Sequence, residues 1–68
     1  MLVDILQNAG AVLHCRTNIS QALMFAESDN YVYGQSTNPF NRTLTPGGSS
    51  GGEGATVAMY GSLVGVGM

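Results

Sequence analysis

The residues best placed to do chemistry are a serine pair, Ser49 and Ser50, within Thr45-Pro46-Gly47-Gly48-Ser49-Ser50-Gly51-Gly52-Glu53-Gly54-Ala55. Six of these eleven residues are glycine or proline. Glycines on both sides of two hydroxyls let the backbone take torsions that a side chain forbids and come close to another group. Serines held in such a bend suit group transfer or the cradling of an anion. Gly47-x-Ser49-x-Gly51 and Gly48-x-Ser50-x-Gly52 both fit the G-x-S-x-G elbow. The surroundings do not, because a polar loop and not a strand precedes them. The single histidine, His14, also comes before the serines, whereas elbow enzymes order their triad serine, acid, histidine. A phosphate loop of the G-x-x-x-x-G-K-[ST] type needs a lysine, and the two basic residues here are Arg16 and Arg42. A dinucleotide G-x-G-x-x-G beginning at Gly52 fails because position 57 is Val57. The remaining reading from residue types alone is a flexible Gly/Ser loop.

Other chemical groups are sparse. His14 and Cys15 are neighbours on an expected strand, so they point to opposite faces and make neither a catalytic nor a metal pair. No further His or Cys exists to build a zinc site, and no metal is expected. Asp4, Glu27, Asp29 and Glu53 are scattered and read as solvated or capping groups. Met24 and Met59 fall in short helical stretches and read as packing residues.

The elements that must position the serine pair follow from local pattern. Leu2, Val3, Ile5 and Leu6 predict a short amphipathic helix stopped at Asn8 to Gly10. Ala11 to Arg16 is a short, continuous apolar run, expected as a buried strand of a parallel sheet. Asn18 or Ser20 is expected to cap a short helix, Gln21 to Phe25. Glu27 to Pro46, rich in Asn, Ser, Thr, Gly and Pro, reads as a long functional loop whose aromatics pack on a larger body. Ser50 or the glycines open a second helix, Glu53 to about Met59, with Glu53 in the first turn where a carboxylate meets the positive end of the helix dipole. Ser62 to Met68 reads as a weak strand carrying Gly65 and Gly67. No internal repeat is visible.

Composition bounds the rest. The chain has 68 residues, 44% hydrophobic and 9% charged. A chain this short rarely draws more than roughly 3–5 kcal/mol from a single core. So apolar a chain with so little charge reads as an interior segment of a larger fold. A net charge of −2 argues against nucleic acid as a partner. One cysteine allows no disulfide within the chain. The start lacks a basic region followed by a long apolar run, and no stretch reaches the ~18 consecutive apolar residues of a membrane span. A cytoplasmic location is therefore expected, and the sequons at Asn18 and Asn41 are read as chance matches.

Pro46 to Ala55 resembles, almost letter for letter, the glycine-serine motif of the amidase-signature family of serine hydrolases. The likeness extends back through Gly10-Ala11-Val12-Leu13, Thr17-Asn18, Asn30 to Gly34 and Asn38-Pro39-Phe40-Asn41. It extends forward to Gly61-Ser62-Leu63-Val64-Gly65-Val66-Gly67. It covers the chain from about Gly10 onward and looks closest to the acetamidase-like and fatty-acid-amide-hydrolase-like branches. The resemblance implies an α/β fold, with this chain a partial domain over residues 1–68. The order would be helix, strand, short helix, long loop, helix, strand, as part of a mixed sheet flanked by helices, and residues 45–55 would be the signature loop.

The resemblance also implies a function: hydrolysis of small-molecule carboxylic acid amides, at C–N bonds other than peptide bonds, without cofactor or metal. The family works with a Ser–cis-Ser–Lys triad. Ser49 falls at the middle position, a proton-relay serine on a cis peptide bond, with Gly47, Gly48, Ser50, Gly51 and Gly52 as loop and oxyanion support. The segment around Leu23 and Met24 corresponds to the family's acyl channel. The family's lysine lies upstream of the covered part and its nucleophilic serine in a loop just beyond the Met68 position, where the family usually has threonine. Neither is in this chain, so it is expected to be inactive and poorly folded alone, and the peptide bond that holds Ser49 to be trans. The alternative is a non-catalytic, truncated remnant or interaction piece. Substrate identity and oligomeric state are not legible in these residues.

Overall fold

The computed structural model describes all 68 residues. In chain order it holds helix α1 (Leu2–Asn8), a single 3-10 turn (Gln21–Leu23), strands β1 (Asp29–Asn30) and β2 (Gly34–Gln35), and helix α2 (Gly51–Ala58). Two helices and a two-stranded antiparallel sheet are compatible with a piece of an α/β fold.

Both helices stop in the same way. After α1, the amide of Gly10 donates to the Gln7 carbonyl and that of Ala11 to the Leu6 carbonyl, both at 3.0 Å. This is a Schellman ending, and Gly10 supplies the left-handed residue at φ +98°. The stop at Asn8 to Gly10 is thus where the sequence places it. After α2, Tyr60 and Gly61 donate to Val57 and Thr56 at 3.0 and 2.8 Å. Here the left-handed residue is Tyr60 (φ +59°) and not the glycine that follows it. α2 opens two residues earlier than expected, at Gly51, with Ser50 at its N-cap position.

Three expectations are corrected. Ala11 to Arg16 and Ser62 to Met68 form no strand, because a strand exists only by pairing and neither segment has a partner in the chain. The helix expected over Gln21 to Phe25 is one 3-10 turn, because Ala22 and Leu23 both sit at φ +61° and break the helical path. The region read as a long loop contains the one ladder of the molecule, with Asp29 opposite Gln35 and Asn30 opposite Gly34.

No apolar side chain is buried. The four buried residues are Ser20, Ser28, Gly51 and Gly52. The chain exposes 5471 Å², against about 4,000 Å² for a compact folded chain of this mass. Its radius of gyration is 12.6 Å, against about 11 Å for a compact domain of this length. What order the chain has is therefore built from polar contacts around the glycine-serine loop.

Candidate active site

The loop is held by what its glycines allow. A Cβ on Gly48 would lie 2.5–2.6 Å from the backbone of Glu27, and one on Gly52 would lie 2.5 Å from the Asn18 amide nitrogen. On Gly51 it would meet the Ser28 hydroxyl at 2.7 Å and Pro46 at 2.9 Å. Two upstream segments thus press directly against the loop backbone, a contact any larger residue would prevent. Gly47 is different: it has open space around it and is needed for its φ of +82°.

Ser28 is fully buried, and its hydroxyl spans the loop. It donates to the Ser49 carbonyl at 2.7 Å and accepts from the Gly51 amide at 2.7 Å. Ser28 is anchored in turn: its own carbonyl accepts from Asn18 Nδ2 at 3.1 Å and from the Ser36 amide at 2.9 Å. Asn18 Nδ2 also reaches the Gly34 carbonyl and Ser36 Oγ, both at 3.0 Å, sharing its two hydrogens among three acceptors. Asn18 Oδ1 accepts from Asn30 Nδ2, and Asn30 Oδ1 closes the β1–β2 turn by accepting from the amides of Val32 and Tyr33. Asn18 is therefore the hub between the hairpin and the loop, and not a helix cap.

The two serines of the pair are in different situations. Ser50 Oγ donates to the Met68 carbonyl at 2.9 Å and accepts from the Met68 amide at 2.7 Å, tying the last segment to the start of α2. The half-buried Ser49 uses only its carbonyl, toward Ser28; its hydroxyl takes no hydrogen bond within the chain. The Gly48–Ser49 peptide bond is cis, where trans is expected of the chain alone. The contacts of Gly48 with Glu27, and of Ser28 with both sides of Ser50, hold the segment around it.

Glu53, in the first turn of α2, draws two distant segments together. Its Oε2 accepts from the Thr17 hydroxyl at 2.6 Å, and its Oε1 from the Val66 amide at 2.9 Å. These two bonds, the Thr17 bond foremost, hold its carboxyl below its ordinary range, against a smaller opposing effect of desolvation. Gly65 permits the approach, since a Cβ there would lie 2.8 Å from the Glu53 side chain.

Of the residues expected to line an acyl channel, Leu23 borders an open groove of about 800 Å³ together with Arg16, Tyr31 and Tyr33. Met24 is 91% exposed and borders no part of it, and Ser49 does not line it. His14 and Cys15 are exposed and unpaired, Cys15 as a free thiol. No cluster of three His, Cys, Asp or Glu side chains is present, and no helix is long and apolar enough to cross a membrane. The sequence reading missed Ser28 and Asn18 as holders of the loop. The glycines at 48, 51 and 52 signalled a close backbone approach without saying by what.

The profile of the amidase family matches residues 1–68 in full. The chain belongs to the amidase family. Among its relatives it is 48% identical over 67 residues to an amidase of Gibberella moniliformis, which covers 98% of this chain and 13% of that protein. It is 46% identical over 67 residues to an acetamidase of Aspergillus oryzae (98% and 12%). It is equally similar, 46% over 67 residues, to the vitamin D3 hydroxylase-associated protein of Gallus gallus (98% and 14%). The chain thus spans about one eighth of the length of these relatives. No solved structure matches it.

Proposed function

We propose that this chain is the relay-serine segment of a cytoplasmic amidase that hydrolyses small carboxylic acid amides at C–N bonds other than peptide bonds. In this reading residues 1–68 are part of a larger amidase domain, 45–55 are its signature loop, and Ser49 is the relay. A neutral lysine from outside these residues takes a proton, through the Ser49 hydroxyl, from a nucleophilic serine also outside them. The nucleophile attacks the amide carbonyl, the relay returns the proton to the departing amine, and water then releases the acid. The nearby glycines keep the loop backbone free to face the developing oxyanion. Leu23 and Met24 would border the acyl side of the substrate. No step calls for a metal or cofactor. The free, exposed Cys15 suits a reducing compartment.

One observation carries the assignment of Ser49 over Ser50. Ser50 spends its hydroxyl on Met68, while Ser49 is fixed through its backbone and keeps its hydroxyl free. The test compares the isolated 68-residue chain with the full-length gene product on acetamide, an aryl acetamide and a dipeptide. Turnover of the two amides by the full-length protein only, with the dipeptide untouched, is the expected result. Cleavage of the dipeptide in preference to the amides would contradict the substrate class.

A second reading is a non-catalytic remnant that keeps the loop without its chemistry. It requires that the full-length product turn over neither amide, so the same assay decides between the two.

A further inference from the structure

Ser28 carries an arrangement that the relay reading does not use. It is fully buried, 21 residues before Ser49, and its side chain makes both of its hydrogen bonds to the loop backbone. One bond is donated to the carbonyl of Ser49 itself, the other accepted from the amide of Gly51, so a single hydroxyl fixes the backbone on both sides of Ser50. The hydroxyl has little freedom to do otherwise. Asn18 and Ser36 hold the Ser28 carbonyl, and Pro46 and Ser28 together fill the space that a side chain at Gly51 would need. A hydroxyl can donate once and accept at the same time, and here both capacities go to the segment whose middle residues are the serine pair. By contrast, Ser49 has no side-chain bond within the chain that would fix its own direction. Its orientation is inherited from its backbone.

We infer that Ser28 is a positioning residue for the relay: it acts through the Ser49 backbone to aim the Ser49 hydroxyl and touches no substrate. The inference rests on the reading of Ser49 as the relay serine. Replacing Ser28 by alanine removes the bond to the Ser49 carbonyl and the bond from the Gly51 amide at once, and frees the loop to shift. A shift of about 1 Å at a reacting group can cost on the order of 100-fold in rate without altering how substrate binds.

The experiment is a double-mutant cycle in the full-length gene product, with an aryl acetamide as substrate. The variants are Ser28→Ala, Ser49→Ala and the two combined. Expected for Ser28→Ala is a fall in kcat of about 100-fold with KM within about twofold of the wild type. In the Ser49→Ala background the same change should cost almost nothing further, since residues that act as one unit are strongly non-additive. A purely structural role gives a different pattern: the Ser28 change would multiply the loss in either background. That multiplicative result, or an unchanged kcat in Ser28→Ala, overturns the inference while leaving Ser49 as the relay. Full activity in Ser49→Ala instead overturns the relay reading and this inference with it. Should Ser28→Ala fail to fold, Ser28→Cys takes its place in the cycle. It is close in size, its sulfur is a weak donor and acceptor, and the same non-additivity is required of it.

Discussion

Two regions of this small molecule are organised by opposite rules. Around the glycine-serine loop, small polar residues are buried and nearly every group is bonded: Asn18 to Ser28 and the hairpin, Ser28 to Ser49 and Gly51, Ser50 to Met68, Glu53 to Thr17 and Val66. On the flanks, α1 and the segments Ala11 to Arg16 and Ser62 to Met68 carry most of the aliphatic residues. These stay in solvent, with Val12 84% and Leu63 98% exposed. The ordinary arrangement of a folded domain is inverted. The difference teaches that the site is specified locally, by close backbone contacts and directed hydrogen bonds. The hydrophobic side of the same chain finds no partner within these residues. Burying such residues is worth roughly 1.5–3 kcal/mol each, and the chain alone collects almost none of it.

The sharpest way to break the polar region is to fill its contacts. Gly48→Ala and Gly52→Ala each put a carbon about 2.5 Å from backbone atoms of Glu27 or Asn18, which cannot swing away as a side-chain tip can. In the full-length protein each is expected to cost about 1–3 kcal/mol of stability from overpacking, together with most of the amide turnover. Urea unfolding and a steady-state assay measure the two. Gly54→Ala is the control: it lies in α2 with open space at its Cβ, so it should stabilise by about 0.5–1 kcal/mol through helix propensity.

The flanks respond to a different perturbation. Val12→Ser is expected to leave the isolated chain unchanged, because Val12 is already in solvent. In the full-length protein, where the segment is expected to be a buried strand, the same change should cost about 1–2 kcal/mol. Equal effects in the two contexts would mean that the flank is not covered there. By the same reasoning the isolated chain should bind an apolar dye and melt in urea without a cooperative transition. A sharp two-state transition of a monomer would contradict the contrast drawn here.

The smallest expected effect is electrostatic and sits where the two regions meet. The folded chain holds the Glu53 carboxyl below its ordinary value of 4.5. A depressed acid stabilises the structure in full above that ordinary value and loses the contribution as pH falls through the lower, folded one. The ties to Thr17 and Val66 should therefore hold at neutral pH and loosen only below about pH 4.5. The Val66 amide proton, followed by NMR, should titrate in that acid range, and Glu53→Gln should abolish the titration. A Val66 signal that titrates identically in Glu53→Gln would remove Glu53 as the tie.

How much of this could be read from the sequence follows the same division. The serine loop, the stop of α1 at Gly10 and the helix beginning at the end of the loop were all legible, because glycine, serine and an apolar run are local signals. The strands at Ala11 to Arg16 and Ser62 to Met68 were read from apolar runs that describe a buried environment, and a strand needs a partner that no local pattern supplies. The helix at Gln21 to Phe25 failed at Ala22 and Leu23, ordinary helix formers that here take left-handed torsions. The loop-holding roles of Ser28 and Asn18 were invisible for another reason. Both residues lie in polar stretches with no period, and their importance comes from contacts made 10 to 34 residues away.

The most direct test of the central claim, that Ser49 is the relay serine of an amidase, is the kcat of full-length Ser49→Ala on an aryl acetamide beside wild type and Ser50→Ala. A loss of about 10²- to 10⁴-fold is expected for Ser49→Ala, the range of a removed proton-transfer group, with an unchanged urea midpoint. Ser50→Ala should lose less activity and more stability, since its hydroxyl is bonded to Met68. Wild-type turnover in Ser49→Ala, or the larger loss of rate in Ser50→Ala, would contradict the claim.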